Sequence, residues 1–397
     1  MKSRNNERVR EPFIRLSRRG QISQLAAWGI RIAAFLLGLA ACGLIAFLLI
    51  GDLRKEPGRI GDFYNCFIKG IWSDNAKSIL ANRKLWKFFK DLAVLLAIAL
   101  ALTPAFRMRF WNTGAEGQTL VGVLAAIAVN FYLGGKYDPQ VTTPEWLLLI
   151  LMLFAALLAG AVWGVIPALF KAKWNTNETL FTLMMNYVAT YLVSFCLIKW
   201  VPSGSSSLGK LKTGVLPKLA FSADAGVYKD YLLIILIVLL LAGGLYVYLS
   251  YSKHGYEISV VGESERTARY VGINVKKVII RTMILSGLLC GLAGYLIAAG
   301  LDQSVTTESV GGKGFTAIMV SWLGQFNPLL MIITSGTVAF LDHGADQIST
   351  TFDISGAMPE VVIGTVLFFI IGSEFFIRYE VHFRKKHADN GREAGVR

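Results

Sequence analysis

Glu116 is the side chain that first asks for a chemical explanation. It stands in Asn112-Thr113-Gly114-Ala115-Glu116-Gly117-Gln118, at the start of an apolar run over 113–133. A carboxylate in such a segment is costly, and Asn and Gln there also need partners. Asn112 and Glu116 are four residues apart and share one face of a helix. Two roles fit the group Asn112, Glu116 and Gln118. One is a polar cap that orders Gly114 and Gly117 against a neighbouring helix. The other is a lining or gate for a polar solute. Asn130, Asn186 and Tyr187 are further polar groups within apolar stretches. Such groups with aromatic walls suit a neutral solute, a nucleoside or a sugar alike.

Other chemistries find little support. No G-x-x-x-x-G-K-[ST] occurs, so no P-loop is available for ATP. The four histidines, His254, His343, His382 and His387, stand apart from Cys or carboxylate clusters, so no metal site is expected. Of the four cysteines, Cys42, Cys196 and Cys290 lie in apolar runs and Cys66 in a polar stretch, without redox or ligand spacing. They read as small hydrophobes. No cofactor is expected on this chain, and it does not read as an enzyme.

These residues must be positioned by a structure made for lipid. The chain of 397 residues is 54% hydrophobic and 17% charged. Soluble domains carry about 25% charged residues. The net charge of +14 would raise nucleic acid as a partner in a soluble protein, but no binding motif accompanies it. The basic residues instead cluster at segment ends. Residues 1–31 carry eight Lys/Arg, and 378–397 carry six. Clusters of that kind are held on the cytoplasmic face.

A spanning helix needs about 20 mostly apolar residues. Runs at 27–50, 113–133, 146–170, 179–199, 230–250, 279–300 and 359–377 qualify. The run at 91–106 is short, and 314–326 and 328–342 flank Asn327-Pro328 as two short helices or one broken one. Both basic termini belong in the cytoplasm, so the number of spans is even. An all-α polytopic membrane protein of about ten helices is expected, with eight as the alternative. Its internal loops are 107–112, 171–178 and 251–278. Its external loops are 51–90, 134–145, 201–229, 301–313 and 343–357. The first of these is long and carries nine Lys/Arg. The segment before Cys42 resembles a lipoprotein signal, but the apolar run continues to Ile50, which reads as a retained anchor.

In the loop 251–278, Gly255 and Gly262 bracket an expected extended piece. A short helix is then expected over 263–270, closed by Gly272. Gly262, Glu263, Ser264, Glu265, Thr267, Ala268, Arg269, Tyr270 and Gly272 form the candidate docking element for a soluble partner. The next segment carries Gly287, Gly291 and Gly294, small residues that let membrane helices pack closely.

Several motifs together resemble one family. Trp111-Asn112-Thr113-Gly114-Ala115-Glu116-Gly117-Gln118 is similar to the F-N-I-G-x-E-G-Q signature of nucleoside-type permeases of bacterial ATP-binding-cassette importers. These belong with the simple-sugar and branched-chain amino-acid permeases. Trp163-Gly164-Val165-Ile166-Pro167 with Lys171-Ala172-Lys173 continues the match, as does Glu178 with Thr182-Leu183-Met184-Met185-Asn186-Tyr187. Gly255-Tyr256-Glu257, Val261-Gly262, Ala268, Tyr270 and Gly272-Ile273 match the coupling loop, and the match runs on through Ser286–Gly294 and Gly314-Phe315. It covers roughly 90–378. Trp111, Thr113, Ala168 and Ser259-Val260 depart from the usual residues.

The resemblance implies a type II importer bundle. Its divisions would be a cytoplasmic tail 1–26, a first helix 27–50, an external loop 51–90, a permease core 91–378 and a tail 379–397. It also implies a second permease subunit as partner, in a homo- or heterodimer. Two ATP-binding-cassette ATPase subunits, which use the ATP, would dock on the coupling loop. An external binding protein or lipoprotein would deliver the solute. The expected location is the bacterial cell membrane, with lipid around the chain and no nucleic acid. A secondary transporter would carry charged coupling residues near the midplane. A non-transporting scaffold would not copurify with an ATPase.

Overall fold

The computed structural model describes residues 14–18, 20, 23–49, 57–73, 79, 82–135, 143–201, 207–219, 227–354 and 357–383. Much of the expected tails, and parts of the loops 51–90, 134–145 and 201–229, lie outside that set. Two compact units are present, one made of 1–65 with 348–397 and the other of 66–347.

In the first unit, α1 (Gln24–Leu49) packs along α13 (Met358–Arg378). The Arg31 guanidinium donates to Glu374 Oε1 at 2.7 and 2.9 Å. Arg31 was counted with the basic N-terminal cluster, and it is also an ion-pair partner inside the helix pair. Two strands were not foreseen. β1 (Ile14–Arg18) pairs antiparallel with β2 (Tyr379–Phe383), so an otherwise helical chain carries a two-stranded ribbon within its tail segments. The amphipathic α2 (Ile60–Ile71) begins in this unit, inside what the sequence presented as a loop.

The second unit holds α3 (Arg83–Arg107), α4 (Ala115–Leu133), α5 (Glu145–Trp174), α6 (Glu178–Trp200) and α7 (Leu232–Tyr251). Then come α8 (Lys253–Glu263), α9 (Glu265–Tyr270) and α10 (Val275–Tyr295), which runs on as a π-helical turn through Leu301. The short α11 (Lys313–Leu323) is followed by α12 (Pro328–Phe352). Local chemistry sets several boundaries. Asn82, Asn177 and Asn274 accept backbone N–H bonds at the starts of α3, α6 and α10.

Nine helices among the described residues are long and apolar enough to cross a membrane. Three elements differ from the sequence expectation. The short apolar run at 91–106 is the inner part of a 25-residue helix that begins at Arg83, inside the expected loop 51–90. The second Asn-Pro helix is not short, because α12 continues through Asp342, His343 and Asp346 to Phe352. His343 Nε2 lies 3.1 Å from Asp91 Oδ2, so this polar group beyond the apolar run finds a partner inside the bundle. Third, the piece between Gly255 and Gly262 is not extended but is α8, and Glu263 closes that helix rather than opening the next.

Of the two helices flanking Asn327-Pro328, α11 is the one that is half-length. It runs parallel to α3: Lys313 meets Asp91, Ser321 Oγ donates to the Ala99 carbonyl, and Arg107 reaches Phe326. Its N-terminus is therefore level with a point about 16 residues, or ~24 Å, from the Arg107 end of α3.

The core is sealed by a seam of small residues between α10, α5 and α4. Gly287 and Gly291 of α10 lie against Gly160 and Ala156 of α5, and Gly294 lies against Thr119 and Val123 of α4. A Cβ at Gly291 would collide with the Ala156 carbonyl. Gly291→Leu is expected to lower stability by about 1–3 kcal/mol through overpacking. The check is the temperature at which the buried Cys290 thiol becomes reactive in detergent. An unchanged temperature would mean that the seam yields.

Candidate functional site

After α3 the chain turns at Arg109, whose φ is +58°, and re-enters the bundle as the segment 110–114. Asn112 is fully buried there. Its amide pairs reciprocally with that of Gln118, Nδ2 to Oε1 at 3.3 Å and Nε2 to Oδ1 at 3.2 Å. Asn112 also donates to Ser286 Oγ on α10 at 3.2 Å and accepts from the Gly114 N–H. Asn186 on α6 accepts from the Gly117 N–H at 2.9 Å and donates to the Thr113 carbonyl at 2.9 Å. Thr182 adds its hydroxyl to the Thr113 N–H. The amides of Asn112, Gln118 and Asn186 thus clamp the start of α4 between α6 and α10. Buried polar groups of this kind are satisfied or costly, and these are satisfied.

Glu116 points elsewhere. Its Oε1 accepts from the Gly312 N–H at 2.9 Å and its Oε2 from the Gly314 N–H at 2.7 Å. Those groups form the N-terminus of α11, where the helix dipole favours an anion. A Cβ on Gly314 would meet the Glu116 backbone, so the close approach needs glycine there. Lys313, between the two donors, pairs with Asp91 at 3.3 Å, and Asp91 also meets Lys90 at 3.1 Å and His343. The start of α11 is thereby fixed by α4 through Glu116 and by α3 through Asp91. Glu116 lies well inside the bundle, because the segment 110–114 carries α4 inward before it starts.

The site continues along α11. Gly312, Phe315, Met319 and Trp322 follow one helical face and are exposed. Trp322 stacks on the exposed Trp111, with ring centroids 5.2 Å apart. A stripe runs from the Glu116 carboxylate over aromatic and thioether surface to the Trp111–Trp322 pair. Sequence reading missed this stripe, although the spacing of 315, 319 and 322 carried its signal. It also missed Asp91 and His343, which are 252 residues apart. The other candidates fall outside the stripe. Asn130 is buried at the opposite end of α4, where it donates to the Thr213 carbonyl at 2.8 Å. Tyr187 is exposed on α6 beside the clamp and not within it.

A second surface forms at the Arg107 end. A cleft of about 210 Å³ is lined by Met108–Phe110, Lys171, Glu178, Val261–Glu265 and Ile279. All three segments expected as internal loops meet there. Lys171 and Glu178 pair at 2.8 Å across the α5–α6 turn, and Arg281 binds Glu257 at 2.8 Å to tie α8 to α10. Ser264 caps α9 by accepting from the Thr267 N–H. Gly272, at φ +83°, follows it. Glu263, Glu265, Thr267, Arg269 and Tyr270 are exposed, Tyr270 at 95%, and Ser264 is half-buried. Ala268 and Gly262 are buried within the chain. Ala268 therefore faces its own bundle rather than a partner.

The chain is thus a polytopic helical membrane protein with a half-length helix whose N-terminus receives a carboxylate from its neighbour. The family model for the permease component of branched-chain amino acid transport systems matches residues 87–371, and the chain belongs to that family. It is 26% identical to a guanosine ABC transporter permease of Bacillus subtilis, over 93% of this chain and 100% of that one. It is 30% identical to a glucose ABC transporter permease of Haloferax volcanii, over 93% of each. A further guanosine ABC transporter permease of Bacillus subtilis matches at 25%, over 60% of this chain and 73% of that one.

Proposed function

We propose that this chain is the membrane-spanning permease subunit of an ATP-binding-cassette importer for a neutral polar solute, nucleosides first and simple sugars second. The observation that carries this reading is the Glu116 carboxylate seated on the N-terminus of α11. In discontinuous membrane helices such N-termini receive anionic substrate groups. Here a fixed anion of the protein fills that position, which leaves hydrogen-bonding and stacking surface for an uncharged solute. The Trp111–Trp322 pair offers a flat face to a base or a sugar ring. The names of the guanosine and glucose relatives support the two solute classes in that order.

The chain binds no nucleotide in this reading. Two ATPase subunits dock at the cleft beside α8 and α9 and hydrolyse ATP. A second permease subunit completes the path, and the two guanosine permeases of one organism support a related chain in that place. An external binding protein or lipoprotein delivers the solute. The termini and the cleft face the cytoplasm. The nine helices of spanning length among the described residues, with 302–312 and α11 taken together as one further crossing, give the even number that this requires.

The test is uptake by the complete transporter in vesicles, with labelled guanosine, glucose and guanosine monophosphate offered in turn. ATP-dependent uptake of guanosine without uptake of the monophosphate is expected. Uptake of glucose alone moves the solute to the sugar class, and preference for the monophosphate overturns the neutral-solute reading.

A further inference from the structure

Arg107 ends α3 and touches both surfaces that a coupled transporter has to connect. Arg107 opens the expected internal loop 107–112, yet the residue is half-buried. Its Nε donates to the Phe326 carbonyl at 3.1 Å, and its Nη1 reaches the Leu249 carbonyl at 3.5 Å. Phe326 lies in the turn between α11 and α12. Leu249 lies in the last turn of α7, directly before α8. The Arg107 carbonyl faces Gly262 near the end of α8, so closely that a Cβ there would collide with it. One residue thus holds the end of the half-helix with its side chain and supports the docking element with its backbone. The planar guanidinium can serve two carbonyls at fixed angles, which a lysine ammonium does less well.

The turn it holds is strained. Gln325 and Phe326 are consecutive non-glycine residues at φ +51° and +56°. Side chains are disfavoured there, and such conformations persist only where the surroundings impose them. The Phe326 N–H donates to the Ser321 carbonyl, and its ring packs on Phe106 and Trp322, the latter part of the exposed stripe. The Arg107 bond to its carbonyl completes the restraint.

We propose that Arg107 is the positioning residue that links the ATPase docking face to α11, with the left-handed Gln325–Phe326 turn as the two-state element between them. This rests on the reading of the chain as an ATP-binding-cassette permease. A shift of α8 presses through Gly262 on the Arg107 backbone. The guanidinium then moves against the Phe326 carbonyl, the turn relaxes, and the α11 stripe shifts relative to Glu116. The test measures the coupling between the two sites directly.

The complete transporter, with its binding protein, is reconstituted with the wild-type chain, Arg107→Ala, Arg107→Lys and Gly262→Ala. Retained ATPase, ATP hydrolysis and solute imported per ATP are read together. Arg107→Ala is expected to retain the ATPase and its hydrolysis while import per ATP falls by about tenfold or more. Arg107→Lys restores part of that ratio, and Gly262→Ala lowers it from the opposite side. A wild-type ratio in Arg107→Ala overturns the proposal, as does loss of the ATPase together with import. If Arg107→Ala does not accumulate in the membrane, a wild-type ratio in Arg107→Lys overturns it equally. A wild-type complex that retains no ATPase or imports nothing refutes the underlying permease reading instead.

Discussion

Glu116→Ala is expected to reduce uptake by about tenfold or more while the ATPase remains bound to the permease. The carboxylate accepts two backbone N–H bonds at the N-terminus of α11. Bonds to a charged group contribute about 1.5–3 kcal/mol each, and a helix terminus left without its anion loses the dipole interaction as well. Truncation frees both donors and loosens the half-helix that carries Phe315, Met319 and Trp322. Glu116→Gln should be intermediate. Its amide oxygen can serve one N–H, but its NH2 group faces the other. The proposed docking face at the far end of α3 is untouched, so ATPase retention separates this effect from misfolding. Normal uptake by Glu116→Ala would show that Asp91 and Lys313 hold α11 without it.

At the proposed docking face the largest effect is expected from Tyr270→Asp. Tyr270 is 95% exposed at the end of α9, in a tight cap that gives the side chain a fixed base. A tyrosine that a partner buries at the centre of an interface contributes about 2–4 kcal/mol. Its replacement by a carboxylate should weaken ATPase binding by roughly 30- to 1000-fold. Copurification checks this, with the melting temperature of the permease unchanged. Ala268→Arg is expected to behave differently. Ala268 is fully buried in the chain itself, so a long charged side chain there should destabilise the permease before any partner is met. Tyr270→Asp with full ATPase retention would move the docking surface to the cleft wall at Lys171 and Glu178.

The contrast between those two positions shows where sequence reading reached its limit. A short helix was legible over 263–270, with Gly272 as its stop. Which of its faces turned outward was not, because six residues carry too few apolar positions to define a side. The sequence placed Ala268 in the candidate docking element. The structure turns it inward, since a small residue lets α9 lie close to the bundle.

Polar residues in apolar runs were likewise found but not assigned. Asn112, Gln118 and Asn186 stood out, and the structure joins them into a clamp. Glu116 stood out most, but its partners lie 196 and 198 residues away. Asp91, His343 and Arg107 attracted little notice, because each sits at the edge of its apolar run and reads as a terminus. His343 and Asp346 even shortened an expected helix that the Asp91 pairing allows to continue.

What the sequence determined by itself is the membrane class, the position of most spanning helices, the small-residue seam on α10 and the absence of a P-loop. Those follow from local rules. A span is set by its own length and apolarity, since lipid accepts only segments that satisfy their backbone internally. The tertiary structure decided the rest. It laid α11 parallel to α3, placed a carboxylate on its N-terminus, and brought three separate loops to one cleft at the Arg107 end of α3. Each of these is a pairing of groups distant in the chain, whose energy exists only after the helices have packed.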